Sequence, residues 1–195
     1  SYVLAVRHQF QDGTDAPLQP QLYVQLLRDN SSAESETPFY QTFTGPAFYS
    51  DEAKYEKVEF ENIAKGKAEF MVNTKSGFVA MVQHYFTTAW LLPEGQVRDN
   101  FARKLKGDLY SAGSVADLET VAPGATLAVD ARLFVGPQQE TLLESLTTGL
   151  DLVKDYGWVT ILAKPLYWLL DKIHSVVGNW GWAIVLLVVV IKAAF

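Results

Sequence analysis

Apolar and polar residues alternate with a period of two along much of the first 135 residues of the chain. Short alternating segments are separated by clusters of Gly, Pro, Asn and Asp, a pattern that predicts an antiparallel β-sandwich. The first predicted strand has one face made of Tyr2, Leu4, Val6, His8 and Phe10. Residues 12–20 break the pattern, and a second strand then places on one face Leu22, Val24 and Leu26.

The same alternation predicts further strands at 39–44, 68–74, 77–91 and 126–135. In the last of these, an apolar face lies opposite Asp130 and Arg132, so we expect a half-buried strand. That face consists of Leu127, Val129, Ala131, Leu133 and Val135. Residues 95–125 alternate weakly, and we predict strands there without defined ends.

The period changes from strand to helix after Gly136. Pro137 suits the first turn of a helix, leucines recur at helical spacing between 142 and 146, and Gly149 suits a C-terminal cap. We therefore predict one short helix that closes the sandwich, in a domain that covers residues 1–150.

Residues 158–177 form a predicted helix whose polar positions make a narrow stripe: Thr160, Lys164, Tyr167, Asp171, His174 and Ser175. So wide an apolar face, with aromatic rings, favours a helix that lies flat on a bilayer, within residues 151–179. The alternative is a terminal helix docked on the domain core. Pro165 is expected to start or kink this helix. The residues predicted to contact the membrane interface are Trp158, Leu166, Trp168, Leu169, Ile173, Trp180 and Trp182.

Residues 182–191 read WAIVLLVVVI, an uninterrupted apolar run that is followed by Lys192. A helix from Gly181 to Phe195 would span only ~22 Å of a ~30 Å hydrocarbon core. We therefore predict that residues 180–195 are the start of a transmembrane helix. The alternative, a buried parallel strand, would lack the βα units that a parallel sheet requires.

Lys192 is the sharpest candidate for a functional residue. An ammonium group inside a hydrocarbon segment costs ~2.5–3.5 kcal/mol on insertion scales. The side chain is therefore expected either to reach the membrane surface or to face a polar cavity or partner. In a watery groove, such a cation would attract acidic or polar segments of a passing polypeptide.

Composition narrows the possible functions. Residues 1–150 carry 12 Lys and Arg against 19 Asp and Glu, and this acidic body argues against nucleic-acid binding. Cysteine is absent, and His8, His84 and His174 have no metal-ligand spacing. Nucleotide-binding and acyl-transfer motifs are missing as well, so we expect neither an enzyme nor a cofactor or metal. The acidic positions between 51 and 61 favour a solvated strand face over a pair of glycosidase carboxylates.

Several runs of residues resemble the YidC family of bacterial membrane protein insertases. The run GLDLVKDYGWVTILAKPLYWLLDKIHSVVGNWGWAIVLLVVVIKAAF at 149–195 resembles the junction between the periplasmic domain and the second transmembrane helix of that family. Three further runs resemble the large periplasmic domain: TGPAFYSDEAKYEKVEF at 44–60, GFVAMVQHYFTTAW at 77–90 and LFVGPQ at 133–138.

The resemblance implies a mainly β protein, with a periplasmic β-supersandwich, a short helix, an amphipathic interfacial helix and the start of a transmembrane helix. It implies an inner-membrane, multi-pass insertase and chaperone, with residues 1–179 in the periplasm or at the outer leaflet. The implied partners are nascent membrane proteins, the Sec translocon with its accessory subunits, and the lipid bilayer. Lys192 matches the single positive residue of the substrate groove, which is usually Arg, and Lys lacks its bidentate fork.

Two other classes of protein stay open from the residues alone. One is a membrane-tethered carbohydrate-binding module, which rests on fold analogy. The other is a scaffold that docks envelope proteins. The scaffold predicts that Lys192 is dispensable, whereas an insertase requires its charge. The sequence after Phe195 separates the tethered module from the insertase, because we expect an insertase to continue with four more membrane segments and a basic cytoplasmic tail, and a tethered module to stop after one span and a short flank.

Overall fold

The structure is a computed structural model that describes residues 2–31, 43–154 and 160–194, with the side chains of 160–164 and 194 left undescribed. The chain forms two compact units, Ser1–Lys154 and Asp155–Phe195. Residues 39–42 of the strand predicted at 39–44 lie outside the described residues, and so does the predicted interface residue Trp158.

The first unit is built of strands that alternate along the chain with tight turns. The described strands are β1 Val3–Gln11, β2 Gln21–Asp29, β3 Gly45–Ser50, β4 Lys54–Lys57, β5 Asn73–Thr74, β6 Phe78–Val82, β7 Phe86–Leu91, β8 Arg98–Lys104, β9 Leu109–Asp117 and β10 Thr126–Pro137. Its helices are α1 Phe60–Ala64, α2 Glu140–Leu146 and a 3₁₀ helix, Leu150–Val153.

The strands form two antiparallel sheets that pack face to face. The larger sheet has the order β1-β10-β7-β6-β3-β4, and the smaller has the order β2-β9-β8-β5. Between the sheets, one apolar cluster joins Phe48, Val79 and Met81 to Leu26 and Tyr110 of the smaller sheet. A mainly β sandwich is therefore confirmed.

The outer face of the larger sheet is covered by α2 and the 3₁₀ helix. Leu143, Leu150 and Val153 are fully buried against Phe134 and its neighbours on that face. Because β6 has helices on one side and the second sheet on the other, all five of its residues are buried. The first unit extends through Lys154, because Val153 of the 3₁₀ helix belongs to the core of that unit.

Several predicted details differ from the structure. Strands β3 and β4 and helix α1 occupy residues 45–64. For this range the sequence predicted only a solvated strand face with the acidic positions between 51 and 61. The strand predicted at 68–74 is limited to β5. Pro137 is the last residue of β10 and does not begin a helix. Gly149 adopts a left-handed φ of 80° and precedes the 3₁₀ helix, after α2 has ended.

The second unit is a pair of consecutive helices in contact, α3 Thr160–Val177 and α4 Trp180–Ala194. Pro165 lies inside α3. Among the described residues, no helix combines the length and the apolar character needed to cross a membrane. α4 itself has 15 residues.

Candidate membrane-insertion site

The turn between α3 and α4 is fixed by two residues with complementary roles. Gly178 has a left-handed φ of 68°, and its amide donates to the His174 carbonyl at 2.7 Å, which ends α3. The Asn179 side chain accepts a hydrogen bond from the Trp182 amide at 3.2 Å and so caps the first turn of α4. The turn therefore starts α4 immediately after α3 ends.

One face of α4 packs on α3. Ala183 is fully buried, and Leu187 and Ile191, at four-residue spacing from it, are half-buried. On α3, the half-buried positions are Leu166, Leu169, Leu170, Ile173, His174 and Val177. The two helices also meet at their junction, where the rings of His174 and Trp180 stack with centroids 3.7 Å apart and an interplanar angle of 9°.

The rest of α4 presents a nearly continuous apolar surface. Its large side chains outside the packed face are between 41% and 64% exposed: Trp182, Ile184, Val185, Leu186, Val188, Val189 and Val190. An exposed apolar patch of this kind marks a site of contact with lipid or with a partner.

Lys192 lies in the last turn of α4 and is exposed. Helical spacing puts it in line with Gly181, Val185 and Val188, half a turn away from the buried Ala183. The ammonium group is therefore carried by the face of α4 that points away from α3. The exposed valines Val185 and Val188 are its neighbours along that face.

The predicted interface residues divide into two groups. Trp168, Trp180 and Trp182 are exposed, at 62%, 46% and 64%. Leu166, Leu169 and Ile173 are half-buried on the α3 face that packs on α4. The contact of His174 with Trp180 and the burial of Ala183 were not predicted. The burial of Ala183 could have been inferred from the sequence, because Ala183 is a small residue in a run of large apolar ones.

A β-sandwich followed by a helix pair with so much exposed apolar surface defines a class of protein, a domain that adjoins a membrane. Comparison with known proteins identifies the family. The family model described as YidC periplasmic domain matches residues 1–169, and the chain belongs to that family.

Curated relatives match along the entire chain. A protein of Janthinobacterium sp. (strain Marseille) named membrane protein insertase YidC is 50% identical over 194 residues, which are 100% of this chain and 34% of the relative. Proteins of the same name from Cupriavidus pinatubonensis and from Burkholderia mallei are 51% and 50% identical over 195 residues, 100% of this chain and 35% of each relative. The chain thus spans about a third of the length of these relatives.

One solved structure, titled a putative aldose 1-epimerase from Klebsiella pneumoniae, matches at 11% sequence identity and a TM-score of 0.34. The match covers 69% of this chain and 43% of that one. At this TM-score the likeness supports no statement about fold or function.

Proposed function

We propose that this chain is the periplasmic domain and the beginning of the membrane part of a multi-pass membrane protein insertase of the bacterial inner membrane. The observation that carries the proposal is the match to relatives named membrane protein insertase along the entire chain at about 50% identity. The exposed apolar surface of α4 supplies the physical support, because it gives the chain a segment that lipid stabilises.

A comparison of free energies favours the insertion of α4 into the bilayer in spite of Lys192. Completing the burial of one half-exposed large apolar side chain is worth roughly 1 kcal/mol, so the six that follow Trp182 on α4 together contribute several kcal/mol. The penalty for one Lys at the centre of a span is ~2.5–3.5 kcal/mol. The apolar term is the larger, so α4 enters the bilayer and Lys192 enters with it.

The depth of Lys192 follows from the tryptophans at the start of α4. Trp favours the interface between water and hydrocarbon. Lys192 is ten residues after Trp182, which corresponds to ~15 Å along a helix and to about half of a ~30 Å hydrocarbon core. With Trp180 and Trp182 at the interface, the ammonium group lies near the middle of the membrane, where it requires a hydrated groove.

In the proposed mechanism, Lys192 is the groove charge that attracts acidic or polar segments of a nascent membrane protein. The low dielectric of the surroundings strengthens this attraction. Lys192 holds no covalent intermediate, and the energy for insertion comes from the transfer of the substrate's apolar segment into lipid. The proposed protein is accordingly not an enzyme and uses no cofactor.

The remaining membrane contacts are proposed for the exposed tryptophans Trp168, Trp180 and Trp182. Trp158, Leu166, Leu169 and Ile173 complete the proposed interfacial set, and the last three contact lipid only where α3 separates from α4. The acidic first unit is proposed to lie in the periplasm, since Lys and Arg concentrate on cytoplasmic flanks. Its proposed partners there are the Sec translocon and its accessory subunits, and it makes no contact with nucleic acid.

The test is complementation of cells depleted of the native insertase with full-length genes that differ only at Lys192. We expect Lys192→Glu to abolish insertion of a substrate with an acidic translocated segment, and Lys192→Arg to preserve it, because charge is what the groove requires. Lys106→Glu, which reverses an exposed lysine in the turn between β8 and β9, is the matched control and should insert normally.

Insertion is measured by protease protection of the radiolabelled substrate at matched levels of each variant in the membrane. Normal insertion by Lys192→Glu would refute the role of the charge. That result would favour a tethered module or scaffold, for which Lys192 is dispensable.

A further inference from the structure

The hairpin between β6 and β7 has aromatic side chains at its turn, where hairpins usually have Gly, Asn or Asp. The Gln83 amide donates to the Phe86 carbonyl at 2.9 Å, and the two residues between them are His84 and Tyr85. Tyr85 is 67% exposed and Phe86 is 57% exposed. We call residues 83–86 the aromatic tip. Two adjacent exposed rings require an explanation, whereas a single exposed apolar side chain does not.

The backbone of the aromatic tip is fixed to the end of β10. Gln138 donates three hydrogen bonds to it: its amide to the Tyr85 carbonyl at 3.0 Å, and its side-chain Nε2 to the Gln83 and Phe86 carbonyls at 2.7 and 3.2 Å. The His84 ring packs edge-on against the Tyr85 ring, with centroids 4.0 Å apart. The three carbonyls are satisfied within the domain, so the tip can enter a less polar environment without leaving them unpaired.

The aromatic tip lies at the end of the first unit from which the chain leaves. α2 begins at Glu140, two residues after Gln138. Lys154 is the last residue of the first unit, and its Nζ lies 4.0 Å from Oε2 of Glu140. The 3₁₀ helix therefore returns the chain to the start of α2, close to the residue that holds the tip.

From this end the chain continues into the two helices for which membrane contact is proposed, so the inference rests on the proposed function. α3 begins six residues after Lys154, and six residues span at most ~22 Å when fully extended. A bilayer that holds α3 is consequently within reach of the end of the sandwich that carries the tip.

Charge also distinguishes the aromatic tip from the rest of the acidic domain. Residues 77–92, which include β6, the tip and β7, contain no Asp, Glu, Lys or Arg, and neither do residues 133–139 at the end of β10. Residues 1–150 as a whole carry 12 Lys and Arg against 19 Asp and Glu. A charged side chain loses water at a cost when it enters a less polar layer, and the tip carries none of these four residue types. Its contact should therefore depend on the burial of aromatic rings and not on charge.

We infer that the aromatic tip docks the sandwich on the membrane, with the rings of Tyr85 and Phe86 in the interface of the leaflet that faces the first unit. Tyr is enriched where water meets hydrocarbon, because its ring is apolar and its hydroxyl is polar. The tip and α3 then give the chain two attachments to the same surface. Docking therefore fixes which end of the sandwich faces the membrane.

The size of the aromatic tip favours lipid over a separate protein. Two rings that are each somewhat more than half exposed offer roughly 250 Å² of apolar area, whereas a stable interface between separate proteins buries at least about 1,000 Å² in total. The bilayer differs from such a partner, because α3 and α4 already hold it close to the tip. A contact within a tethered assembly has a high effective concentration and needs little area.

The experiment places a fluorescent maleimide in the 195-residue chain, which has no cysteine of its own. Gln83→Cys puts the label at the tip and retains both rings, since Gln83 is exposed and its amide and carbonyl make the bonds that close the turn. Ala122→Cys is the matched control, exposed in the turn before β10 and thus at the opposite end of a strand that is ~36 Å long.

Protein in mild detergent is diluted into phosphatidylcholine vesicles, with or without a nitroxide on the lipid acyl chain near the headgroup. We expect the nitroxide to quench the label at position 83, because the tip lies in the interface. The label at position 122 should keep its emission.

Serine substitutions test whether the rings cause the contact. In the Gln83→Cys background, Tyr85→Ser with Phe86→Ser should lower the ratio of docked to free tip by about tenfold or more, because two large rings no longer leave water. Tyr85→Ser alone, at a turn position outside the strands, should give part of that loss and keeps the test valid if the double variant unfolds. Tyr23→Ser removes a ring of β2 that is 48% exposed and should have no effect.

Flotation of the vesicles separates this inference from the proposed function. Protein that does not float with the vesicles would contradict both, because α3 and α4 would then not hold the chain on a bilayer. Protein that floats while the label at position 83 stays unquenched would overturn the inference alone. So would equal quenching in the double serine variant, quenching that disappears at high salt and so indicates attraction by charge, or quenching that requires a second protein.

Discussion

Gly149 holds the chain in a position where no other residue fits. Its φ of 80° is left-handed, and a Cβ added there would lie 2.2 Å from Cε2 and 2.5 Å from Cδ2 of the Tyr49 ring. The ring has little room to move, because Tyr49 is 5% exposed and stacks on Phe78 with centroids 5.5 Å apart. Gly149→Ala therefore forces the backbone before the 3₁₀ helix away from the sheet.

The expected loss of stability has two parts. A left-handed conformation costs an alanine about 1–2 kcal/mol relative to its right-handed one. Overpacking against a ring that cannot yield adds about 1–3 kcal/mol. The sum, about 2–5 kcal/mol, is a large share of the 5–15 kcal/mol or so by which a typical domain is stable.

Gly124→Ala is the matched control, because it separates the two parts. Gly124 has a φ of 75°, and an added Cβ there meets no heavy atom within 4 Å. This variant should lose only the conformational part, about 1–2 kcal/mol.

The measurement is urea unfolding of the 195-residue protein and both variants in mild detergent, followed by the circular dichroism of β-structure. The midpoint should fall further for Gly149→Ala than for Gly124→Ala, with similar slopes. Equal losses in the two variants would refute the clash with Tyr49 and the placement of the 3₁₀ helix on the sheet.

Two further predictions concern charged residues of the first unit. Arg98 is 3% exposed, its guanidinium has no hydrogen-bond partner among the described residues, and burial lowers its pKa while nearby Glu94 raises it. Arg98→Met should therefore raise the free energy of unfolding by about 1 kcal/mol or more, and a loss in urea unfolding would contradict this. Asp130 accepts two hydrogen bonds from Arg7, at 2.7 and 2.9 Å, and these hold its pKa below the ordinary 3.8. The pKa of Asp130 is lower in the folded state than in the unfolded state. The contribution of its carboxylate to the free energy of unfolding is therefore complete above the ordinary pKa and is lost as the pH falls through the folded-state pKa. The stability difference between wild type and Asp130→Asn in urea melts should therefore shrink as the pH falls below the ordinary pKa of 3.8, and a difference that does not change there would contradict the ion pair.

Alternation along the chain was sufficient to predict the sandwich wherever one strand face is buried and the other is not. β2 is such a strand, since Leu22, Val24 and Leu26 are buried and their neighbours are mostly exposed. β3 was missed because all six of its residues are buried, and a strand covered on both faces has no alternation to read.

The two ends of β10 show why the prediction of its core-facing residues was only partly right. Ala131 is buried on the inner face, as predicted, but near the end of the strand Phe134 is fully buried on the outer face and Val135 is 47% exposed. Local sequence cannot specify this change, because α2 covers one face at that end and the smaller sheet does not extend over the other. Lys192, by contrast, was singled out from local sequence alone, since a charge in an apolar run stands out without tertiary information, and its functional role stays a prediction.

The apolar face of α3 is subject to two competing contacts. Leu166, Leu169 and Ile173 were predicted to face lipid, and in the structure the same side chains are half-buried on the face that packs on α4. In water, packing on α4 is favoured, because both helices remove apolar surface from solvent. In a bilayer that driving force is absent, since lipid tails are as apolar as leucine, and only close packing remains to hold the helices together. Within the described residues, the fully buried Ala183 and the stack of His174 on Trp180 both lie in the half of α4 nearest the turn, whereas Leu187 and Ile191 in the other half are only half-buried. We therefore predict that the turn keeps its geometry in a membrane, while the first part of α3 separates from α4 and lies on the membrane surface.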